Sequence, residues 1–236
     1  MRLTLMDGFV LDCDGRRLAV PRTQQRLLAF LGLRQQATRA HTVGTLWPES
    51  DEQKASGRLR SALWRLHQLG APMVAAEGET LRLHEWVRVD VDELVRTARF
   101  VSAEGARDSE ARGRAFRDMR ELLPGWYDDW VLIERERLRQ LRLHALEALA
   151  VRDLETGRHG DAVEAALAAM RTEPLRESAQ RLLMEIHLAE GNYSEALLTY
   201  ESYRSLLHRE LGVEPSPRMG ELLVRARPLA AVPNAG

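Results

Sequence analysis

The chain has 236 residues, 44% of them hydrophobic and 29% charged, with a formal net charge of −1. This is the balance of a soluble globular protein of one large or two ordinary domains; no apolar run approaches the roughly 18–20 residues that a bilayer span requires. The single cysteine, Cys13, excludes an internal disulfide framework and fits a reducing cytoplasm.

The opening MRLTLMDGFVLDCDG carries acids inside its apolar stretch and does not read as a secretory signal. Over residues 2–20, LTLMDGFVL and RRLAV read as short strands separated by the polar turn DCDG. TQQRLLAFLGLR (23–34) is apolar at helical spacing, with Thr23 as its expected N-cap after Pro21. HTVGTLWPES (41–50) predicts a short second helix closed by Pro48. A third helix covers 53–69 and is ended by Gly70 and Pro72. MVAAEGETLRLH then predicts a hairpin turning at Glu77-Gly78. Strands, three helices and a hairpin, in that order, predict a winged helix, a helix-turn-helix variant with the hairpin as its wing.

After VRVDVDEL the texture changes. Asp90 and Glu93 predict a capping box, and helices follow over 92–103, 108–122, 128–156, 160–172, 175–190, 194–210 and 216–226. TGRHGDAVEA (156–165) and EGNYSEALLT (190–199) echo each other, with Gly157 and Gly191 34 residues apart. That is the tetratricopeptide period, in which helix pairs stack to bury faces that no single pair covers. Ala162, Ala166 and Ala169 stand where helices approach closely; Tyr203 replaces the small residue in the second unit. The predicted fold is therefore mostly α: an N-terminal winged helix (α+β) over 1–90, then an all-α tetratricopeptide-like domain over 91–236.

The candidate site lies on the third helix. Residues 1–70 carry 11 Lys and Arg against 6 Asp and Glu, whereas 91–236 carry 21 against 25. A basic first part suits a polyanion. Because every basic residue except Lys54 is arginine, placement carries more weight than number. Leu59, Ala62, Leu63 and Leu66 fall on one helical face and are the expected buried stripe. Lys54, Arg58, Ser61, Trp64, Arg65 and Gln68 project away from it, with Arg60 at the border, and no acidic residue occurs between 53 and 76. Unpaired cations gain against phosphate by releasing counterions. Ser56 is placed to meet a phosphate, and Arg58, Ser61 and Arg65 to meet base edges. Trp64 either packs on the hairpin or touches a thymine methyl or sugar. In the wing, alternation turns Leu81 and Leu83 inward and leaves Arg82 and His84 outward, making Arg82 a candidate for the minor groove or a phosphate. His67, in the same helix, is either a phosphate contact or an ordinary surface histidine.

Other chemistries find little support. No phosphate-binding loop motif occurs, and His41, His67, His84, His144, His159, His187 and His208 show no metal-ligand spacing; the expectation is no catalytic residue, no metal and no cofactor. Asp51-Glu52 and Asp128-Asp129 read as partners of helix N-termini rather than catalytic carboxylates. Trp126, Tyr127 and Trp130 read either as core packing at the Pro124-Gly125 turn or as a pocket for a small effector. Tyr193, Tyr200 and Tyr203 are spaced for helix packing, with a partner groove as the alternative.

Taken together, the runs LWPES…ASGRLRSALWRL, WVRVDVDEL, ELLPGWYDDWVLIERERLRQLRLHALEAL and EALLTYESYRSLLHRELGVEPSP resemble the SARP-type bacterial transcriptional activators. These join a response-regulator-type winged helix to a bacterial transcriptional activator domain (BTAD). The resemblance covers about residues 2–226, and PGWYDDW, EPLRE and ELGVEPSP make it specific in combination. It implies a cytoplasmic, nucleoid-associated protein that binds direct repeats in double-stranded promoter DNA, often as a homodimer, and recruits RNA polymerase through its sigma factor. It further implies pathway-specific activation of a secondary-metabolite gene cluster, such as one for antibiotic biosynthesis. Larger relatives append an ATPase and repeat domains, so the chain resembles the short, stand-alone kind. Repression at the same sites and a protein-binding helical adaptor remain the competing readings.

Overall fold

The computed structural model describes residues 1–69, 72–102 and 109–230. It is mostly helical with two small sheets and divides into two compact units. One unit comprises Met1–Arg96 and Arg120–Leu138, the other Thr97–Met119 and Arg139–Gly236, whereas the sequence suggested a single boundary at 90/91. Among the described residues no helix is long and apolar enough to cross a membrane.

In the first unit β1 (Arg2–Thr4), β2 (Val10–Cys13) and β3 (Arg16–Arg17) run antiparallel in succession. The predicted turn closes β2 onto β3: Asp14 and Gly15 take φ of 53° and 84°, and the Gly15 amide donates to Asp12 Oδ1 at 2.9 Å. Positive φ at both central residues is the hairpin geometry that matches strand twist. α1 (Arg22–Arg34) begins one residue before the predicted Thr23 cap. Pro21 fixes the entry instead, and no side chain caps the helix. Leu27, Leu28, Phe30 and Leu31 of α1 are fully buried. A Cβ at Gly32 would meet the Leu3 side chain at 3.1 Å, so a small residue lets α1 lie close on β1.

α1 leads into β4 (Gln36–Thr38), a strand that the sequence reading did not foresee. Next come α2 (Arg39–Leu46) and α3 (Glu52–His67), then the hairpin of β5 (Val74–Glu77) and β6 (Thr80–Leu83), which with β4 forms a sheet of order β4-β6-β5. This is the winged-helix order. The second helix stops at Leu46 with Trp47 as its C-cap, closed as expected ahead of Pro48, and the stop predicted at Gly70 lies outside the described residues. In the hairpin Leu81 is fully buried while Leu83 is half-buried.

α3 buries Ala55, Leu59, Ala62 and Leu66, whereas Leu63 is only half-buried. The stripe is thus rotated slightly from the one expected. Leu59→Ala should destabilise the first unit by about 2–5 kcal/mol, with Leu63→Ala costing clearly less. Denaturant unfolding of both variants checks this, and equal losses would contradict the observed register.

β7 (Arg88–Val89) pairs with β1 in parallel and completes the order β3-β2-β1-β7. α4 (Asp90–Ser102) follows directly. The Asp90 carboxylate, expected to share a capping box with Glu93, accepts from the amides of Leu5 (3.0 Å), Met6 (3.0 Å) and Val91 (2.9 Å). Burial pushes its pKa up against the pull of those amides. α5 (Ser109–Arg117) ends well before the predicted 122. The chain then runs extended along β1's continuation: Met6 and Leu122 form an antiparallel bridge, and Leu123 N donates to Leu5 O at 2.9 Å. The Arg135 guanidinium donates to the carbonyls of Leu122 (2.8 Å) and Leu123 (2.5 Å) and fixes this return. It brings Trp126 and Trp130, each 5% exposed, into the first unit, with Trp130 edge-on to Phe30 at 5.6 Å. The core reading of these two indoles holds, but Tyr127 is 78% exposed.

The second unit is helical: α5, the later part of α6 (Asp129–Glu155), α7 (His159–Thr172), α8 (Glu177–Ala189), α9 (Tyr193–Leu211) and α10 (Pro217–Ala230). Consecutive helices from α7 to α10 pack on one another. The 34-residue echo is structural: Gly157 and Gly191 have φ of 72° and 77°, Ala162 and Ala196 are fully buried, and Tyr203 fills the place of Ala169 at 3% exposure. The Tyr203 hydroxyl donates to Leu175 O at 3.1 Å, and burial raises its pKa to about 12. Arg176 donates to both oxygens of Glu147, at 2.7 and 2.8 Å, and Ser178 hydrogen-bonds the same carboxylate. Burial raises the pKa of Glu147, but these bonds outweigh it and the net shift is downward. A depressed carboxylate stabilises above its unfolded pKa and loses that contribution as pH falls through the folded one. The stability gap between wild type and Glu147→Gln should therefore narrow below about pH 4; a gap independent of pH would contradict the arrangement.

Candidate nucleic-acid interface

α3 owes its position to its start. Asp51 is the N-cap, its side chain accepting from Lys54 N at 2.8 Å, as the acid-pair reading implied. Lys54 Nζ also reaches Asp51 at 2.8 Å, with both side chains largely exposed; these hydrogen bonds from Lys54 lower the Asp51 pKa. Such an exposed pair is weak, typically under about 1 kcal/mol, and leaves Lys54 available.

Lys54, Arg58, Ser61, Arg65 and Gln68 are all exposed. Their spacing of i, i+4, i+7, i+11 and i+14 draws one stripe along the helix, roughly 21 Å long at 1.5 Å per residue. Arg58 Nη1 donates to Ser50 Oγ at 2.8 Å, so a neutral hydroxyl holds the guanidinium without neutralising it. Among the described residues no carboxylate lies within ion-pair distance of Arg58, Arg60 or Arg65. Trp64, beside the stripe, is 64% exposed, so the alternative of packing on the hairpin is not realised.

Ser56 and Arg60 do not join the stripe. Together with Arg39, Trp47, Leu59 and Glu79 they line an open cavity of about 610 Å³ between α2, the first half of α3 and the wing turn. Arg82 also stands apart: Glu77 accepts from its Nη2 at 2.7 Å, and this partner raises the Arg82 pKa. With Glu77 and Glu79 exposed at the turn, the wing tip is acidic, which disfavours approach to phosphate. His67 is exposed. Ser50 and Arg39 were missed by the sequence reading; the position of Ser50 immediately before the cap was the available signal.

The bacterial transcriptional activator domain family matches residues 89–225. The chain is 34% identical over 225 residues to the regulatory protein AfsR of Streptomyces coelicolor, covering 90% of this chain and 23% of that protein. It is 35% identical over 99 residues to the regulatory protein DnrI of Streptomyces peucetius, covering 41% and 36%. The chain thus spans less than a quarter of the length of AfsR. Among solved structures its fold is similar to that of Mycobacterium tuberculosis EmbR in complex with a low-affinity phosphopeptide, with a TM-score of 0.77 over 95% of this chain and 64% of that one, at 21% identity.

Proposed function

The chain belongs to the bacterial transcriptional activator domain family, and from that premise we propose that it is a sequence-specific DNA-binding activator of transcription. The observation that carries the reading is the exposed stripe from Lys54 to Gln68, whose arginines have no carboxylate partner among the described residues, on a helix presented by a helix-turn-helix. Contacts from its cations to phosphate supply affinity, while Arg58, Ser61 and Arg65 supply sequence choice. The winged helix of the first ninety residues binds double-stranded promoter DNA at direct repeats, two copies side by side as a homodimer, with repeats about one duplex turn apart. Ser56 and Arg60 contribute from the flank. Arg82 contributes only after release from Glu77. The helical part from residue 91 onward recruits RNA polymerase through its sigma factor, and the regulated genes form a secondary-metabolite cluster. The protein works in the cytoplasm, at the nucleoid, without a cofactor and without catalysis of its own.

A gel shift with the promoters upstream of and next to its own gene tests the binding. A retarded band that survives excess random duplex is expected; no retardation on any of these promoters would leave the adaptor reading in its place. A reporter driven by the shifted promoter, with and without the protein, then separates activation from repression, and activation is the expected outcome.

A further inference from the structure

Trp64 is the one tryptophan that leaves more than half of its surface in water: Trp47, Trp126 and Trp130 are 5–9% exposed and Trp86 is 42% exposed. Its indole offers a large apolar face with an N–H at the edge, which a partner can cover. Among the described residues no aromatic ring or cation is stacked on it. Its surroundings define the partner's chemistry. Arg60, Arg65, His67 and Gln68 lie within a turn of it, and no acid occurs from 53 to 76. This suits a polyanion that also offers an apolar group. In the major groove that group is the C5-methyl of thymine.

We infer that Trp64 is a specificity-determining residue, its indole receiving a thymine methyl in the major groove. This rests on the DNA-binding reading and names what the site selects. At 100° per residue Trp64 lies about 100° around the helix from Arg65 and one rise before it. Opposite the buried stripe of Ala55, Leu59, Ala62 and Leu66, the ring lies about 60° from Ser61 and flanks the base edges beside the pair that Arg65 meets. In zinc-finger helices side chains about three residues apart meet successive bases, and the same spacing is applied to α3. The preferred half-site therefore carries guanines opposite Arg58 and Arg65 on either side of one base pair, with a thymine flanking the Arg65 position.

The test selects bound duplexes from a pool randomised over two turns, about 21 base pairs, using the full chain. It is repeated with Trp64→Ala, and with Trp86→Ala as an exposed-tryptophan control. Wild type should enrich a site with one fixed thymine, and Trp64→Ala should keep the guanine preferences while losing that thymine. Deoxyuridine in place of that thymidine, which removes only the methyl, should weaken wild type roughly fourfold, the worth of one buried methyl group, and leave Trp64→Ala unchanged. Thermal melting reports that the variant is folded. An enriched site whose binding ignores deoxyuridine overturns the inference, as does a loss on Trp64→Ala that deoxyuridine does not share, which would mark a contact to sugar. Enrichment of no site at all overturns the DNA-binding reading itself.

Discussion

Arg58→Ala combined with Arg65→Ala lowers affinity for the cognate promoter by about 2–6 kcal/mol, since each bidentate arginine–guanine contact discriminates by about 1–3 kcal/mol. That is a loss from about thirtyfold to more than about ten-thousandfold. Binding to random duplex falls far less, because there the same arginines act only as two charges among several. The fold is not at stake: both side chains are exposed, and the one hydrogen bond removed is that of Arg58 to the surface hydroxyl of Ser50. Titrations on cognate and random duplexes at several salt concentrations check this. Equal losses on both, with a salt slope reduced by about 0.9 per arginine, would make the two residues phosphate contacts and move sequence choice elsewhere. Lys54→Ala supplies the contrast. Its ammonium is already shared with Asp51, and its loss should be small and similar on both duplexes.

The helices were legible because a buried stripe repeats every three to four residues whatever it packs against. α3, α7 and α9 begin within a residue of their predicted starts, and the 34-residue echo reappears in the paired backbone of Gly157 and Gly191. The exposed basic face of α3 was legible for the same reason, since a helix exposing one face shows its charges in sequence. Pairings with distant partners left no local trace. β4 and β7 have three and two residues, and what makes them strands is Gln36 lying opposite Arg82 and Arg2 opposite Arg88. Arg82 looked free because alternation gives the direction of a side chain and not its partner; Glu77 is its neighbour only across the hairpin. The bonds of Asp90 left no trace likewise, as the amides of Leu5 and Met6 come from the far end of the first unit's sequence.

Residues 120–138 carry the same lesson into stability, through Trp130→Ala. Trp130 is 5% exposed, edge-on to Phe30 at 5.6 Å and to Trp126 at 6.4 Å. Trp126 in turn stacks on Phe9 at 6.4 Å and lies under the Arg22 guanidinium at 3.6 Å. Removing the central indole should cost about 3–5 kcal/mol, a large share of the roughly 5–15 kcal/mol that holds a domain folded. The damage reaches α3 through Phe30, whose other ring neighbour is His41 of α2 at 5.6 Å; α2 and α1 are the supports on which α3 packs. Trp130→Ala should therefore weaken DNA binding on every sequence alike, without touching the stripe. By the same argument a fragment cut after residue 90 lacks Leu122, Leu123, Trp126 and Trp130, and its failure to activate would report a missing core as much as a missing activation domain. A fragment ending at Leu138 keeps them and should melt cooperatively, whereas the 1–90 fragment should not. If the shorter fragment melted as sharply, and at the same temperature, the return of the chain to the first unit would be ornamental and the cost assigned to Trp130 would have to be withdrawn.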